Sequence, residues 1–382
     1  MNGITRRGAI GAGLFASMIA LAGCNSQTSS DDEPPIENDA TTEPEQEPEL
    51  TPEQEAVLED GEPLSETAIG VNSALSNGYA ATDGTWDYFS SGGGLYRMRP
   101  DGSEIECVWQ GDDFHVANNL CAVDGMLYFL GYQGDESLRW TLYRLNTEAL
   151  DAEAIYYLPN DTVTGHINQL AVIGERIYFT LRHDNDNGNT LISVALDGSD
   201  EQNLWDTTNP YPSYAFMDGV VYRGSGSNEN PVIERLDPAT GTQETILDAS
   251  SGLTSINRIV AIDGALYFEA GLNGEGGIFK LTPGGAPAKV GTGGLLGAAD
   301  GYLYANGPRG EGDIDVNYTF TRIDLASDSE EPFEYPEPYS TYNSTFEFYG
   351  FDTRLFINVG DQIYTTTPDG EIVFQYTFAP ED

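Results

Sequence analysis

An all-β fold built as a ring of repeats is predicted by three observations. A turn followed by an aromatic strand recurs seven times along one continuous stretch. Each unit holds four short strands, and units are spaced by roughly 37–52 residues, the length of one propeller blade. No apolar pattern of helical period runs through 79–382. These features specify a single β-propeller, with seven four-stranded blades favoured over six.

The aromatic strand is the clearest part of the unit. It reads Trp86-Asp87-Tyr88-Phe89, Leu127-Tyr128-Phe129, Ile177-Tyr178-Phe179, Val221-Tyr222, Leu266-Tyr267-Phe268, Leu303-Tyr304 and Leu355-Phe356. Five of the seven follow an Asp-Gly pair, at Asp83, Asp124, Asp218, Asp263 and Asp300. Asp-Gly between apolar runs marks a tight hairpin because both residues tolerate positive φ. Gly174-Glu175 and Asp352-Thr353 replace it in the third and seventh units, which predicts different turns there. A third strand follows, as in Leu95-Tyr96-Arg97-Met98 and Leu142-Tyr143-Arg144-Leu145. Pro100-Asp101-Gly102, Leu196-Asp197-Gly198 and Pro368-Asp369-Gly370 then turn the chain into a fourth strand. Trp109 and Trp205 each lie seven residues after the glycine of that turn and occupy equivalent positions. The strands are apolar runs because a blade packs on neighbours through both faces. A β-helix would repeat at shorter intervals, and stacked sandwiches would not hold one unit in register. The first strand of unit one is weakly patterned, so residues 67–75 are a candidate to pair with the last blade and close the ring.

The Asp-Gly turn, aromatic strand, Leu-Tyr-Arg strand and Pro-Asp-Gly turn together resemble a bacterial propeller family of unknown function. That family is similar to the YWTD-type propellers of low-density-lipoprotein receptors. The resemblance covers residues 79–378 and implies the fold. Its motifs are structural, and the Tyr-Trp-Thr-Asp tetrapeptide itself is absent, so no receptor ligand carries over.

Ahead of the repeats stands an export signal. Arg6 and Arg7 form a basic start, Ala9 to Ala22 an apolar stretch too short to span a bilayer, and Leu21-Ala22-Gly23-Cys24 a lipobox. Residues 1–23 are therefore expected to be removed and Cys24 to carry a diacylglyceryl group, whose two chains suffice for stable anchoring. Thr5-Arg6-Arg7 also resembles a twin-arginine signal, although Ala9 stands where a bulky residue is usual. The general secretory route is the alternative. Residues 24–66 are rich in Ser, Thr, Pro, Asp, Glu and Gln and carry fifteen acidic and no basic residues from Asp31 to Glu66. Such a segment is expected to be a disordered, self-repelling tether. The propeller is assigned to 67–382.

The formal net charge is −46. Nucleic-acid binding needs a basic footprint, and none exists here. An acidic, soluble surface and a monomer are expected. Among the few cations, Arg97, Arg144, Arg235, Lys280 and Arg322 share the third position of the third strand. Recurrence at one register implies stems packed between blades and heads paired with carboxylates, in preference to an anion-binding collar. Cys107 and Cys121 fall on outermost and innermost strands of successive blades, too far apart to bridge, and are expected to be buried free thiols. Asn118, Asn168 and Asn257 precede first strands and are read as backbone caps, with channel-lining groups as the alternative.

Chemistry is sparse. No His-Glu-x-x-His, Gly-x-Ser-x-Gly or Cys-x-x-Cys motif occurs. His115 and His166 lie near the entries to first strands and are read as surface histidines in loops, with a shared metal as the alternative. The Asp184–Gly188 loop fails the EF-hand spacing, and Asp313, Asp315, Asn317 and Asp324 keep it only with Tyr318 in place of the turn glycine. No catalytic residue, cofactor or metal is therefore assigned. The aromatics Phe333, Tyr335, Tyr339 and Tyr342, between units six and seven, are the candidate ligand-binding surface for a sugar or peptide. The sequence thus describes a membrane-anchored, extracytoplasmic propeller that binds or scaffolds a protein or glycan. A polysaccharide hydrolase or lyase is the alternative.

Overall fold

The structure, a computed structural model, describes residues 50–75, 78–91, 94–110, 118–132, 140–158, 169–183, 188–208, 212–226, 230–307, 320–333, 346–351, 353–359 and 362–377. It also describes two short strands at Ile4–Arg6 and Phe15–Ser17. Seven antiparallel sheets each take four consecutive strands in chain order, starting at Ala80, Asn118, Leu170, Ser213, Leu253, Gly294 and Phe346. They are the seven blades of a β-propeller, numbered here in that order. Ile4–Arg6 pairs with the outermost strand of blade 7 and Phe15–Ser17 pairs with Ile4–Arg6. Both lie within residues 1–23, and the seventh blade itself consists of four consecutive strands like the others.

Residues 67–75 do not pair with the last blade. Helix α2, Glu66–Leu75, runs instead through the middle of the ring. It packs on the first strands of blades 3, 4, 5, 6 and 7. Ser65 caps it, accepting the Ala68 N–H at 3.2 Å. Ile69, Gly70, Val71, Asn72, Ser73 and Leu75 are all buried. Burial on every side leaves no amphipathic stripe, so sequence periodicity could not reveal it. The Asn72 side chain donates to the Gly350 carbonyl at 2.9 Å and accepts the Gly350 N–H at 3.2 Å, tying the helix to blade 7.

The acidic segment upstream is also partly folded. Helix α1, Pro52–Leu58, starts on a capping box in which Gln54 N–H reaches Thr51 Oγ1 at 3.2 Å and Thr51 N–H reaches Gln54 Oε1 at 2.9 Å. Val57 and Leu64 are buried. Gln54 donates to Glu371 of blade 7 at 3.3 Å, Gly61 N–H to the Gly84 carbonyl of blade 1 at 2.7 Å, and Gly174 N–H of blade 3 to Glu66 at 2.7 Å. Glu371, Gly84 and Gly174 all stand in turns between strands 1 and 2 or 3 and 4. Residues 51–66 therefore cross one face of the disc, the turn face, before α2 enters the axis.

No strand is exchanged between blades 1 and 7 among the described residues, so side chains close the ring. Arg354 of blade 7 donates to Asp87 of blade 1 at 2.5 Å, with 6% and 0% of the side chains exposed. Phe89 of blade 1 meets Phe356 at 6.0 Å, and Gly102 leaves room for Phe374, whose ring would stand 1.9 Å from an added Cβ.

The third-strand cations are structural. In five blades the strand-2 tyrosine lies directly across from the cation: Tyr88 with Arg97, Tyr128 with Arg144, Tyr222 with Arg235, Tyr267 with Lys280, and Tyr304 with Arg322. In four of these a strand-4 glutamate lies across on the other side: Glu106, Glu153, Glu244 and Glu331. Four of the cations also reach the next blade. Arg97 donates to the Thr147 carbonyl at 2.6 Å, Arg144 to Leu196 at 3.4 Å, Lys280 to Asp328 at 2.6 Å, and Arg322 to Pro368 at 3.4 Å and Asp369 at 2.5 Å. Blade 3 has Ser193 at this register, and Arg176 from strand 2 bonds Ser193 and Asp200 instead. Trp109 and Trp205 occupy equivalent registers across from Leu95 and Leu191, as the spacing required. Cys121 is free and buried, and burial pushes its thiol up to about 12. Cys107 departs from the expectation of a free thiol. It is disulfide-bonded.

Breaking the closing ion pair leaves a charge buried and alone. Arg354→Ala is expected to cost about 3–5 kcal/mol in urea titration, and Arg354→Met with Asp87→Leu to recover most of it. Arg322→Ala should cost about 1–3 kcal/mol in the same titration. An unchanged midpoint would return these cations to the collar reading.

Candidate functional site

Short hairpin connections make up the turn face. Second strands end, and third strands and each new blade begin, at the opposite, loop face. Two polar clusters stand at the loop-face ends of described strands.

The first lies at the seam of blades 7 and 1, beside the axis. Glu347 stands on the first strand of blade 7 and Asn358 directly across from it on the second. Glu347 Oε2 accepts the Tyr349 hydroxyl at 3.1 Å and the Asn358 amide at 3.4 Å. The Tyr349 hydroxyl in turn accepts the Tyr79 backbone N–H at 2.9 Å. Asn118 of blade 2 hydrogen-bonds the Tyr79 hydroxyl, which burial and the Glu347 charge raise above its ordinary range. Burial holds Glu347 up to about 7, against the two bonds that favour its charge. It is thus a carboxyl able to gain or lose a proton near neutrality, the property of a general acid or base. Among the described residues no second carboxylate or cation joins it.

The second is a cavity of about 520 Å³ between blades 3 and 4, lined by His183, Thr190, Asp206 and Arg223 among others. The Thr190 hydroxyl donates to Asp206 at 2.7 Å and so accepts from His183 Nε2 at 2.9 Å. Arg223 stacks 4.1 Å above Trp205, pairs with Glu234 and donates to the Asp206 carbonyl at 3.3 Å. The threonine hydroxyl faces the carboxylate directly, so histidine does not activate it and this is no nucleophilic triad. A row of donors and acceptors beside a buried guanidinium suits a small polar ligand.

The sequence-read candidates fare unevenly. Phe333 ends the fourth strand of blade 6, is buried, and meets Tyr304 edge-on at 5.2 Å. It serves the core, not a recognition surface. Tyr335, Tyr339, Tyr342, Arg7, Cys24, His115, His166, Asn168 and the Asp313–Tyr318 motif lie outside the described residues. Of Arg6 only the strand Ile4–Arg6 is described. Asp324 is spent on a turn, accepting the Ala326 and Ser327 N–H groups at 2.9 and 2.8 Å. Asn257 is not a backbone cap, since its amide donates to Glu269 at 2.7 Å. The axis that polar groups could have lined is filled by α2. Among the described residues no three His, Cys, Asp or Glu side chains converge on a metal position. Glu347 escaped notice in the sequence because its neighbours Tyr79 and Asn118 come from the other end of the repeat array.

No family model and no curated protein matches the chain. Solved structures do. Two prolyl endopeptidases were studied together in a structure that overlays with TM-score 0.55 at 15% identity, over 84% of this chain and 50% of that one. A puromycin-hydrolyzing peptidase of Mycobacterium tuberculosis gives 0.54 at 14%, over 83% and 55%. An oligogalacturonate lyase of Vibrio parahaemolyticus gives 0.51 at 12%, over 83% and 93%. This chain thus spans about half the length of the two peptidase chains. At these identities the likeness is one of fold, and the fold is the seven-bladed propeller described above.

Glu347 yields a pH prediction. Between pH 4.5 and about 7 the folded state keeps a proton that the unfolded chain, at the ordinary value of 4.5, has lost. The stability from this group is complete below pH 4.5 and is lost as pH rises through about 7. Melting temperature should therefore fall between pH about 5 and about 8. Glu347→Gln should flatten that fall, and a parallel curve for the variant would refute the assignment.

Proposed function

We propose that this protein is an extracytoplasmic lipoprotein that holds a propeller off the membrane and presents the loop face to a protein or glycan ligand. The supporting observation is the route of the chain. Residues 51–66 lie across the turn face and α2 passes up the axis. A lipid on Cys24 would therefore hold the turn face toward the bilayer and leave the loop face outward. The lipobox and acidic spacer in the sequence supply the anchor and the tether. The two polar clusters stand on the outward face. The kinship with YWTD-type propellers rests on the repeat motifs alone.

A second reading has one observation in its favour. A polysaccharide-cleaving propeller would use a carboxyl poised near neutrality, and Glu347 is one. The oligogalacturonate lyase likeness concerns the fold, and Glu347 lacks a second charged partner among the described residues. Display therefore leads.

Anchoring is tested by feeding cells an alkyne palmitate analogue. The wild-type chain should take the label and Cys24→Ala should not.

A further inference from the structure

Of the five cations at the clamp register, one does not reach the next blade. Arg235 of blade 4 occupies the same register as Arg97, Arg144, Lys280 and Arg322, yet among the described residues its guanidinium makes no hydrogen bond and pairs only with Glu244, at 3.7 Å. Its side chain is 42% exposed, whereas the other four are 11%, 26%, 21% and 17% exposed. Beside it, between blades 4 and 5, is a cavity of about 310 Å³.

The cause lies in the neighbouring turn. Arg144 and Arg322 bond the carbonyl of the second residue in the next blade's strand 3–4 turn, Leu196 and Pro368. Arg322 also bonds the carboxylate of the third residue, Asp369. In blade 5 the corresponding turn is Thr282-Pro283-Gly284-Gly285, closed by Gly285 N–H to the Thr282 carbonyl at 2.9 Å. Gly284 stands at φ +74°, whereas Asp197 and Asp369 are not among the positive-φ residues. Positive φ at the third position after proline makes a type II turn, in which the central peptide is turned over relative to type I. The Pro283 carbonyl therefore faces away from Arg235. The carboxylate is missing as well, because glycine replaces aspartate. What remains is a cation at the wall of a cleft that Leu247, Leu266, Leu281 and Met217 line on one part and Glu244 and Thr282 on another.

We propose that this cleft binds a small carboxylate with an aliphatic body, Arg235 taking the carboxylate in the place that Asp369 fills for Arg322. The aliphatic body lies against the leucines. A guanidinium favours a planar carboxylate that it can grip with two parallel hydrogen bonds. The site lies toward the turn face, apart from the loop-face clusters, and does not depend on anchoring.

The full chain, purified without detergent, is titrated calorimetrically with octanoate, with N-acetylleucine and with octan-1-ol. Saturable binding of octanoate or N-acetylleucine is expected, with octanol weaker by roughly ten- to a hundredfold. The tighter of the two acids tells a straight-chain acid from a peptide-like terminus. Arg235→Gln should lose the carboxylate preference with its melting temperature unchanged, because Arg235 bonds nothing across the blades. Gly284→Asp recreates Thr-Pro-Asp-Gly, the sequence at Thr367–Gly370. It should close the clamp, raise the melting temperature and abolish binding. Absence of saturable binding by either acid, or affinity unchanged in the folded Arg235→Gln or Gly284→Asp proteins, would overturn the proposal.

Discussion

The packing of α2 along the ring axis is the constraint on which the rest of the molecule depends. Five of the seven first strands lie against it. Small residues, Gly70, Ser73 and Ala74, let a helix fit where inner strands converge, and Gly70 approaches the Phe216 ring to 3.9 Å from where a Cβ would stand. Burial of Ile69, Val71 and Leu75 supplies the hydrophobic gain. Asn72 adds direction, because its paired bonds to Gly350 fix both the rotation and the depth of the helix. With the axis filled, the faces of the disc are left as the places for function. Because the helix enters from the turn face, those faces are also made unequal.

The ring itself is held by a repeated polar device set in an apolar stack. A tyrosine, a cation and usually a glutamate lie side by side across three strands, and the cation reaches over to the next blade. This arrangement explains why a chain of net charge −46 keeps five of its sixteen Lys and Arg residues in one register. Exposed pairs of this kind stabilise weakly one at a time, but the bonds to carbonyls of the next blade join units that share no strand. The closing seam uses a different solution. Asp87 is wholly and Arg354 almost wholly withdrawn from water, and among the described residues Asp87 Oδ2 and Arg354 Nη1 have no hydrogen-bond partner. A pair so placed specifies which blades meet more than it stabilises them.

Where the repeat is broken, the molecule acquires a feature with chemical potential. Replacing Asp with Gly284 frees Arg235 beside a cleft. Ser193 leaves blade 3 without a cation at this register, Arg176 bonding within its own blade instead, and the neighbouring seam with blade 4 carries the His183–Arg223 cavity. At the junction of blades 7 and 1, where the first and last units meet, Glu347 is held near neutrality. Local rules that hold in most repeats and fail in one point to sites that do something other than hold the ring.

The sequence by itself determined the fold class, the blade count and the place of most strands. Asp-Gly turns and aromatic strands are local signals, and seven copies reinforce one another. It also determined that the third-strand cations share a role, since a common register survives in one dimension. Tertiary structure alone decided the axial helix, because a helix buried on all sides has no amphipathic period to read. It alone decided the seam chemistry, since Asp87 with Arg354, and Glu347 with Tyr79, are brought together from opposite ends of the repeat array. It moved Phe333 from surface to core, because exposure depends on which strand ends beside Tyr304 and composition does not record that. It also separated Arg235 from four residues identical to it in register. The reason is a single peptide turned over at Pro283–Gly284, where one glycine permits a positive φ that aspartate in the other turns does not adopt.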